Sequence, residues 1–121
     1  METPDASKRT LSELYGEVGG DIIDVLERLE DIDTVALFVR EFADDPSYTT
    51  LLQSLQENDL KSAFRAAHTL KGISYTLGFK RLGDCATNLC EKLRDGMAPT
   101  ATATQQLEEE YCRVLTAIKN V

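Results

Sequence analysis

The chain has 121 residues, 42% of them hydrophobic, which is enough for a single domain with one core. Its net charge of −8 argues against a nucleic-acid partner, because such proteins need a basic surface to neutralise phosphates. No apolar run approaches the roughly 20 residues that cross a membrane, and residues 1–9 are too polar for a signal peptide. We therefore expect a cytoplasmic protein with neither a nucleic-acid nor a membrane partner.

The three cysteines, Cys85, Cys90 and Cys112, cannot all pair within one chain. They form no Cys-x-x-Cys pair, and the single histidine excludes a zinc site of the usual Cys/His spacing. We expect reduced cysteines that behave as small hydrophobic residues, with a redox role as the alternative. No metal or other cofactor is expected.

The N-terminal third of the chain predicts short helices. Residues 1–10 are expected to be flexible, and residues 11–18 predict a first helix that ends at a pair of glycines. Asp21 is placed to cap a second helix, because a side-chain oxygen at this position accepts a hydrogen bond from the first turn. A third helix begins near residue 33 or 34, and Pro46 should kink or break it because proline has no N–H to donate.

The rest of the chain predicts longer amphipathic helices. An Asn-Asp pair ending at Asp59 caps a helix that runs toward Leu77 and ends at Gly78. A further helix covers about residues 79–95, and a last one follows the loop that contains Pro99. Four substantial helices with short loops predict an all-α fold, an antiparallel up-and-down four-helix bundle with one or two short extra N-terminal helices. We expect residues 1–121 to form one domain.

His68 is predicted to be exposed. On a helical wheel of residues 60–77 it lies roughly 140° from the centre of the apolar face. A core position is the commoner one for an isolated histidine, but the wheel argues against it. Lys71 and Gly72 follow one turn later, and a glycine inside a helix costs about 1 kcal/mol relative to alanine. Such a glycine would clear space around the imidazole, and the lysine would hold a positive charge beside it.

These residue types suit phosphoryl transfer. Neutral imidazole is a good nucleophile at cytoplasmic pH, and Nε2 projects farthest from the helix. The segment 60–81 has no acidic residue and five basic residues, which are Lys61, Arg65, Lys71, Lys80 and Arg81. This basic segment would stabilise a phosphoryl anion and bind an acidic partner, although a merely solvated helix face is the alternative. The chain has no glycine-rich phosphate loop and no second histidine, so we expect no kinase or hydrolase activity.

The segment 66–79, AAHTLKGISYTLGF, closely resembles the core motif of histidine-containing phosphotransfer (HPt) domains. That motif is His-x-x-Lys-Gly followed five residues later by Leu-Gly, and it is present here as His68, Lys71, Gly72, Leu77 and Gly78. The resemblance extends over about residues 20–95. Tyr75 is a departure, since many members have a small or amide residue there; a tyrosine could hydrogen-bond or stack on the imidazole, or narrow the choice of partner.

The resemblance implies a phosphocarrier of a two-component phosphorelay. His68 would be the phosphorylated nucleophile, supported by the charge of Lys71 and the clearance at Gly72. Partners would be response-regulator receiver domains, which carry their own Mg²⁺, and a hybrid sensor histidine kinase. Lys61, Arg65, Tyr75, Lys80 and Arg81 would contribute to docking.

Two other functions remain as alternatives. A binding module could dock on a receiver without accepting the phosphoryl group, and a phosphatase or kinase would need further catalytic residues. Labelling by a phosphorylated receiver at an acid-labile, base-stable site would separate the phosphocarrier from both. Met1 and a complete last helix favour a free-standing protein over a piece of a hybrid kinase.

Overall fold

The computed structural model describes residues 4–119, and for residues 4–10 the backbone alone. Within this range the chain forms seven α-helices and no strand, which confirms the all-α prediction. The helices are α1 (Pro4–Glu17), α2 (Ile22–Leu29), α3 (Ile32–Phe42), α4 (Ser47–Gln56), α5 (Leu60–Thr76), α6 (Lys80–Arg94) and α7 (Ala101–Lys119).

Local capping signals set most of the helix ends. The Asp21 carboxylate accepts a hydrogen bond of 2.9 Å from the Ile23 amide at the start of α2. Asp59 accepts one of 3.1 Å from the Ser62 amide at the start of α5. Gly78, just after α5, has a φ of +77°, a conformation that glycine adopts without steric cost. These three predictions are confirmed.

The N-terminal helices differ from the prediction in two respects. Helix α1 begins at Pro4 rather than at residue 11, because a proline in the first turn lacks only an N–H that would have no partner there. Residues 4–10 of the segment predicted to be flexible have a helical backbone, and residues 1–3 lie outside the described residues. The break predicted at Pro46 is confirmed: α3 ends at Phe42, and the Asp45 carboxylate accepts a 2.9 Å hydrogen bond from the Ser47 amide at the start of α4.

The helices pack mainly against their neighbours in sequence. Helix α4 packs on α5, α5 on α6, and α6 on α7, while α1 packs on α7 and α2 on α3. Short connections join the helices from α4 onward, as predicted for antiparallel neighbours. The described part of the chain is thus a helical bundle. The exact up-and-down order stays a prediction.

A line of aromatic rings runs through the core. Tyr15 stacks on Phe79 with ring centroids 5.7 Å apart, and Phe79 meets the edge of Phe42 at 5.3 Å. Phe42 lies 6.0 Å from Tyr111, which stacks on Tyr48 at 3.8 Å. These contacts join α1, α3, α4, α7 and the residue that precedes α6. Such pairs add about 0.5–1.5 kcal/mol each to the stability gained from burial alone.

Arg28 holds the C-terminal end of α5. Its guanidinium donates hydrogen bonds to the carbonyl oxygens of Tyr75, at 3.0 Å, and Thr76, at 3.2 Å. It also forms an ion pair of 2.7 Å with Asp24. A cation at the C-terminus of a helix satisfies carbonyls that have no partner within the helix and opposes the negative end of its dipole. Because Asp59 caps the other end, both ends of α5 are fixed.

We expect Phe79→Ala to lower the free energy of unfolding by about 3–5 kcal/mol, because it leaves a cavity in the middle of the aromatic line. Phe79 is fully buried. Phe38→Ala is the matched control, since Phe38 is 41% exposed and should cost less than about 1 kcal/mol. Urea unfolding monitored by circular dichroism gives both values. Equal losses would show that the line is not central to the core.

Candidate functional site

Helix α5 has one buried face and one open face. Ala63, Ala67 and Leu70 are buried against the other helices, whereas His68 is exposed on the opposite side. The exposure predicted for His68 is confirmed. The ring is therefore open to a second macromolecule without any rearrangement of the core.

Gly72 keeps the surface beside His68 clear. A Cβ atom built on Gly72 would meet no atom within 4 Å, so no contact within the described chain requires glycine here. This differs from Gly83 on α6, where a Cβ would lie 2.6 Å from the Tyr75 ring. Glycine at position 72 lowers helix propensity, and it relieves no crowding within the described chain.

Two cations, Lys71 and Arg94, and the Glu91 carboxylate lie near Cys90, on the α6 side of helix α5. Burial raises the pKa of the Cys90 thiol on α6, and the positive charges of Lys71 and Arg94 oppose that shift. The Arg94 Cζ stands 5.9 Å from the centre of the Phe64 ring, within cation–π range. The Phe64 ring in turn lies 6.0 Å from the imidazole of His68. Sequence reasoning missed Arg94, because only the packing of α6 on α5 brings it to the site.

On the other side, His68 borders a groove of about 560 Å³ between α3 and α5. We call this the α3–α5 groove. It is lined by Phe38, Glu41, Phe42, Asp45, His68, Thr69, Gly72, Ile73, Thr76 and Leu77. Its floor is apolar, and Phe38 is 41% exposed at its edge. No sequence signal marked this groove, because it depends on how two helices distant in sequence pack together.

The predicted docking residues occupy different surroundings. Lys61 and Arg65 are exposed on α5, and Arg65 donates a 3.3 Å hydrogen bond to the Ser62 hydroxyl. Lys80 is exposed at the start of α6. The Arg81 guanidinium is used within the chain, where it pairs with Glu110 at 3.2 Å and donates to the Glu17 carbonyl at 2.7 Å. It thereby ties the end of α1 to α6 and α7.

Tyr75 turns toward α6. Its hydroxyl donates a 2.6 Å hydrogen bond to Asp84 and lies 3.2 Å from the Thr87 hydroxyl, and its ring covers Gly83. Burial and the hydrogen bond to Asp84 raise the pKa of Tyr75. Of the roles left open for this tyrosine, the hydrogen bond is present, but its partner is Asp84 rather than the imidazole. The bond joins the end of α5 to α6.

The cysteines are free. Cys90 is buried and Cys85 is half-buried, as expected of small hydrophobic residues, whereas Cys112 is exposed on α7. Among the described residues, no group of three or more His, Cys, Asp or Glu side chains could hold a metal ion. No helix in that part of the chain is both long and apolar enough to span a membrane.

Comparison with known families decides the classification. The Hpt domain model matches residues 24–117, which is most of the chain. The protein belongs to the Hpt domain family. No match is found among curated proteins or among solved structures. The resemblance seen in the sequence is confirmed, and the family supports a role as a histidine phosphocarrier in phosphorelay signalling that interacts with receiver domains. In this HPt domain, the match includes the groove, His68 and both cations on the α6 side.

We expect Gly72→Gln to leave the free energy of unfolding unchanged or to raise it by up to about 1 kcal/mol, because glutamine is a better helix former than glycine. Phosphoryl transfer to His68 should nevertheless slow, since a long side chain would crowd the imidazole. Gly16→Gln is the matched control, because a Cβ at Gly16 on α1 also meets nothing within 4 Å.

Thermal unfolding and single-turnover transfer from a phosphorylated receiver measure the two effects. Full-rate transfer by Gly72→Gln would show that Gly72 does not serve access.

Proposed function

We propose that this HPt domain exchanges a phosphoryl group between His68 and the phosphoacceptor aspartate of a receiver domain. The observation that carries the proposal is an exposed imidazole with an open surface at Gly72 on one side and the Lys71 cation on the other. Nε2 would attack the phosphorus of the aspartyl phosphate, so that a P–N bond forms and the P–O bond breaks. The aspartate leaves as a carboxylate, and the same step in reverse phosphorylates the next receiver.

The chain's own residues supply little beyond the nucleophile. Lys71 would stabilise the negative charge of the phosphoryl group, and Gly72 would admit the partner's backbone. No cofactor is proposed for this domain, and the Mg²⁺ would belong to the receiver. This division of labour suits a carrier that neither generates nor hydrolyses the phosphoryl group.

Docking would use the basic residues that remain exposed around the site. Lys61, Arg65 and Lys80 are exposed, and Arg65 has only a 3.3 Å hydrogen bond to the Ser62 hydroxyl of its own helix, whereas the Tyr75 hydroxyl and the Arg81 guanidinium bond to other helices. A docking role for these last two stays a prediction. We place the exchange in the cytoplasm, with a hybrid sensor histidine kinase as the source of the phosphoryl group.

We expect His68→Gln to abolish phosphoryl acceptance and to keep the fold, because the side chain is exposed. Wild type and variant are incubated with a phosphorylated receiver, and the label is tested for acid lability and base stability. Thermal unfolding shows whether the fold is kept. Labelling of the folded variant at the wild-type level would contradict the proposal. Unlabelled wild type that still binds the receiver would favour the binding module.

We expect Lys71→Ala to slow transfer and to weaken its dependence on ionic strength, since one phosphoryl-facing charge is lost. A single exposed contact of this kind is worth about 1 kcal/mol or less, equivalent to roughly fivefold in rate. Lys92→Ala on α6 is the control, because it removes the same charge from an exposed position outside the site. Transfer rates are measured from low to high salt. Identical rates and salt dependence in both variants would mean that Lys71 is only a solvated surface charge with no role in transfer.

A further inference from the structure

His68 lies at a boundary between opposite charges. On the α6 side, the cations Lys71 and Arg94 outnumber the Glu91 carboxylate among the charges that act on Cys90, and Arg94 also lies over the Phe64 ring beside His68. On the α3 side, Glu41 and Asp45 line the same groove as the imidazole. A phosphoryl group on Nε2 would be attracted toward the cations and repelled from the carboxylates. The acidic side of the site therefore does not serve the phosphoryl group, and its charges need another explanation.

The α3–α5 groove has a largely apolar lining, which suits the apolar side of a helix. Phe38, Phe42, Ile73 and Leu77 form its apolar part. Phe38 is 41% exposed at the groove, and its neighbour Leu37, which does not line the groove, is 51% exposed. An amphipathic helix placed in such a groove buries its apolar side and leaves its flanking residues opposite the rim. On the α3 side that rim is acidic.

We propose that Glu41 and Asp45 bind basic side chains on a receiver helix that lies in the α3–α5 groove, and thereby fix the orientation of the receiver over His68. The inference rests on the proposed function and adds the partner's charge pattern to it. In this orientation the partner's basic residues face α3, and its acidic phosphoacceptor site faces Lys71 and Arg94.

The reversed orientation would place like charges together on both sides of His68. Like-charge contacts suppress wrong partners and wrong registers, while complementary contacts speed association. A second copy of this chain is a poorer occupant, because its net charge of −8 opposes an acidic rim. A helix with Lys or Arg beside its apolar face fits both the floor and the rim.

The test uses variants that remove charge and keep shape, namely Glu41→Gln, Asp45→Asn and the double variant. Asparagine at position 45 can still accept the hydrogen bond from the Ser47 amide that starts α4. Asp44→Asn is the matched control, because Asp44 is exposed between the other two and does not line the groove. Thermal unfolding shows whether each variant is folded.

Two phosphoryl donors separate chemistry from docking. Phosphoramidate transfers its phosphoryl group to His68 with release of ammonia and needs no docking surface. The second donor is a phosphorylated receiver with at least two Lys or Arg residues beside the apolar face of the helix next to its phosphoacceptor aspartate. The same receiver with those residues replaced by Gln serves as its partner control.

We expect each rim variant to raise KM for the basic receiver about two- to fivefold, and the double variant more. Labelling by phosphoramidate should be unchanged, as should transfer from the Gln-substituted receiver and all reactions of Asp44→Asn. Wild-type KM in the double variant, or an equal loss with both receivers, would overturn the inference. A change in oligomeric state on rim substitution would overturn it in favour of a second copy. Failure of wild type to accept from phosphoramidate and from receiver alike would instead overturn the proposed function.

Discussion

The edge contact between Phe42 and Phe79, at 5.3 Å, determines where α3 lies relative to the end of α5. Phe42 belongs both to the aromatic line of the core and to the lining of the α3–α5 groove. The same ring that stabilises the bundle therefore sets the width of the surface beside His68. A partner that presses into the groove meets a wall supported by Phe79, Tyr111 and Tyr48. The binding surface should be rigid for this reason.

Helix α5 presents the nucleophile on a rigid support. Its N-terminus is capped by Asp59 and its C-terminus by Arg28, and Tyr75 bonds it to Asp84 on α6. These contacts lie toward the ends of the helix, so the open face around His68 remains free. Pre-organisation of this kind lowers the entropic cost of reaching a reactive geometry when a partner arrives. Selectivity then depends on the charges around the ring.

The sequence was informative where structure depends on near neighbours. Caps at Asp21 and Asp59 act within one turn, and the exposure of His68 follows from helical spacing alone. Other features depend on which helices pack together, and no single-helix pattern contains that information. These are the α3–α5 groove, the position of Glu41 at its rim and the contact of Arg94 with the Phe64 ring. The early start of α1 was missed because residues 4–10 are mostly polar and show no apolar period.

Helix α1 lies wholly before the matched span, which begins at residue 24. Its residues Leu11, Leu14 and Tyr15 are nevertheless buried, as is Val18 just after it, and Tyr15 stacks on Phe79. The span that matches the family is therefore shorter than the part of the chain that packs into one core. A fragment cut at the family boundary would leave Phe79 exposed to water at one end of the aromatic line. Excision or fusion of this domain should accordingly keep the chain from before Leu11.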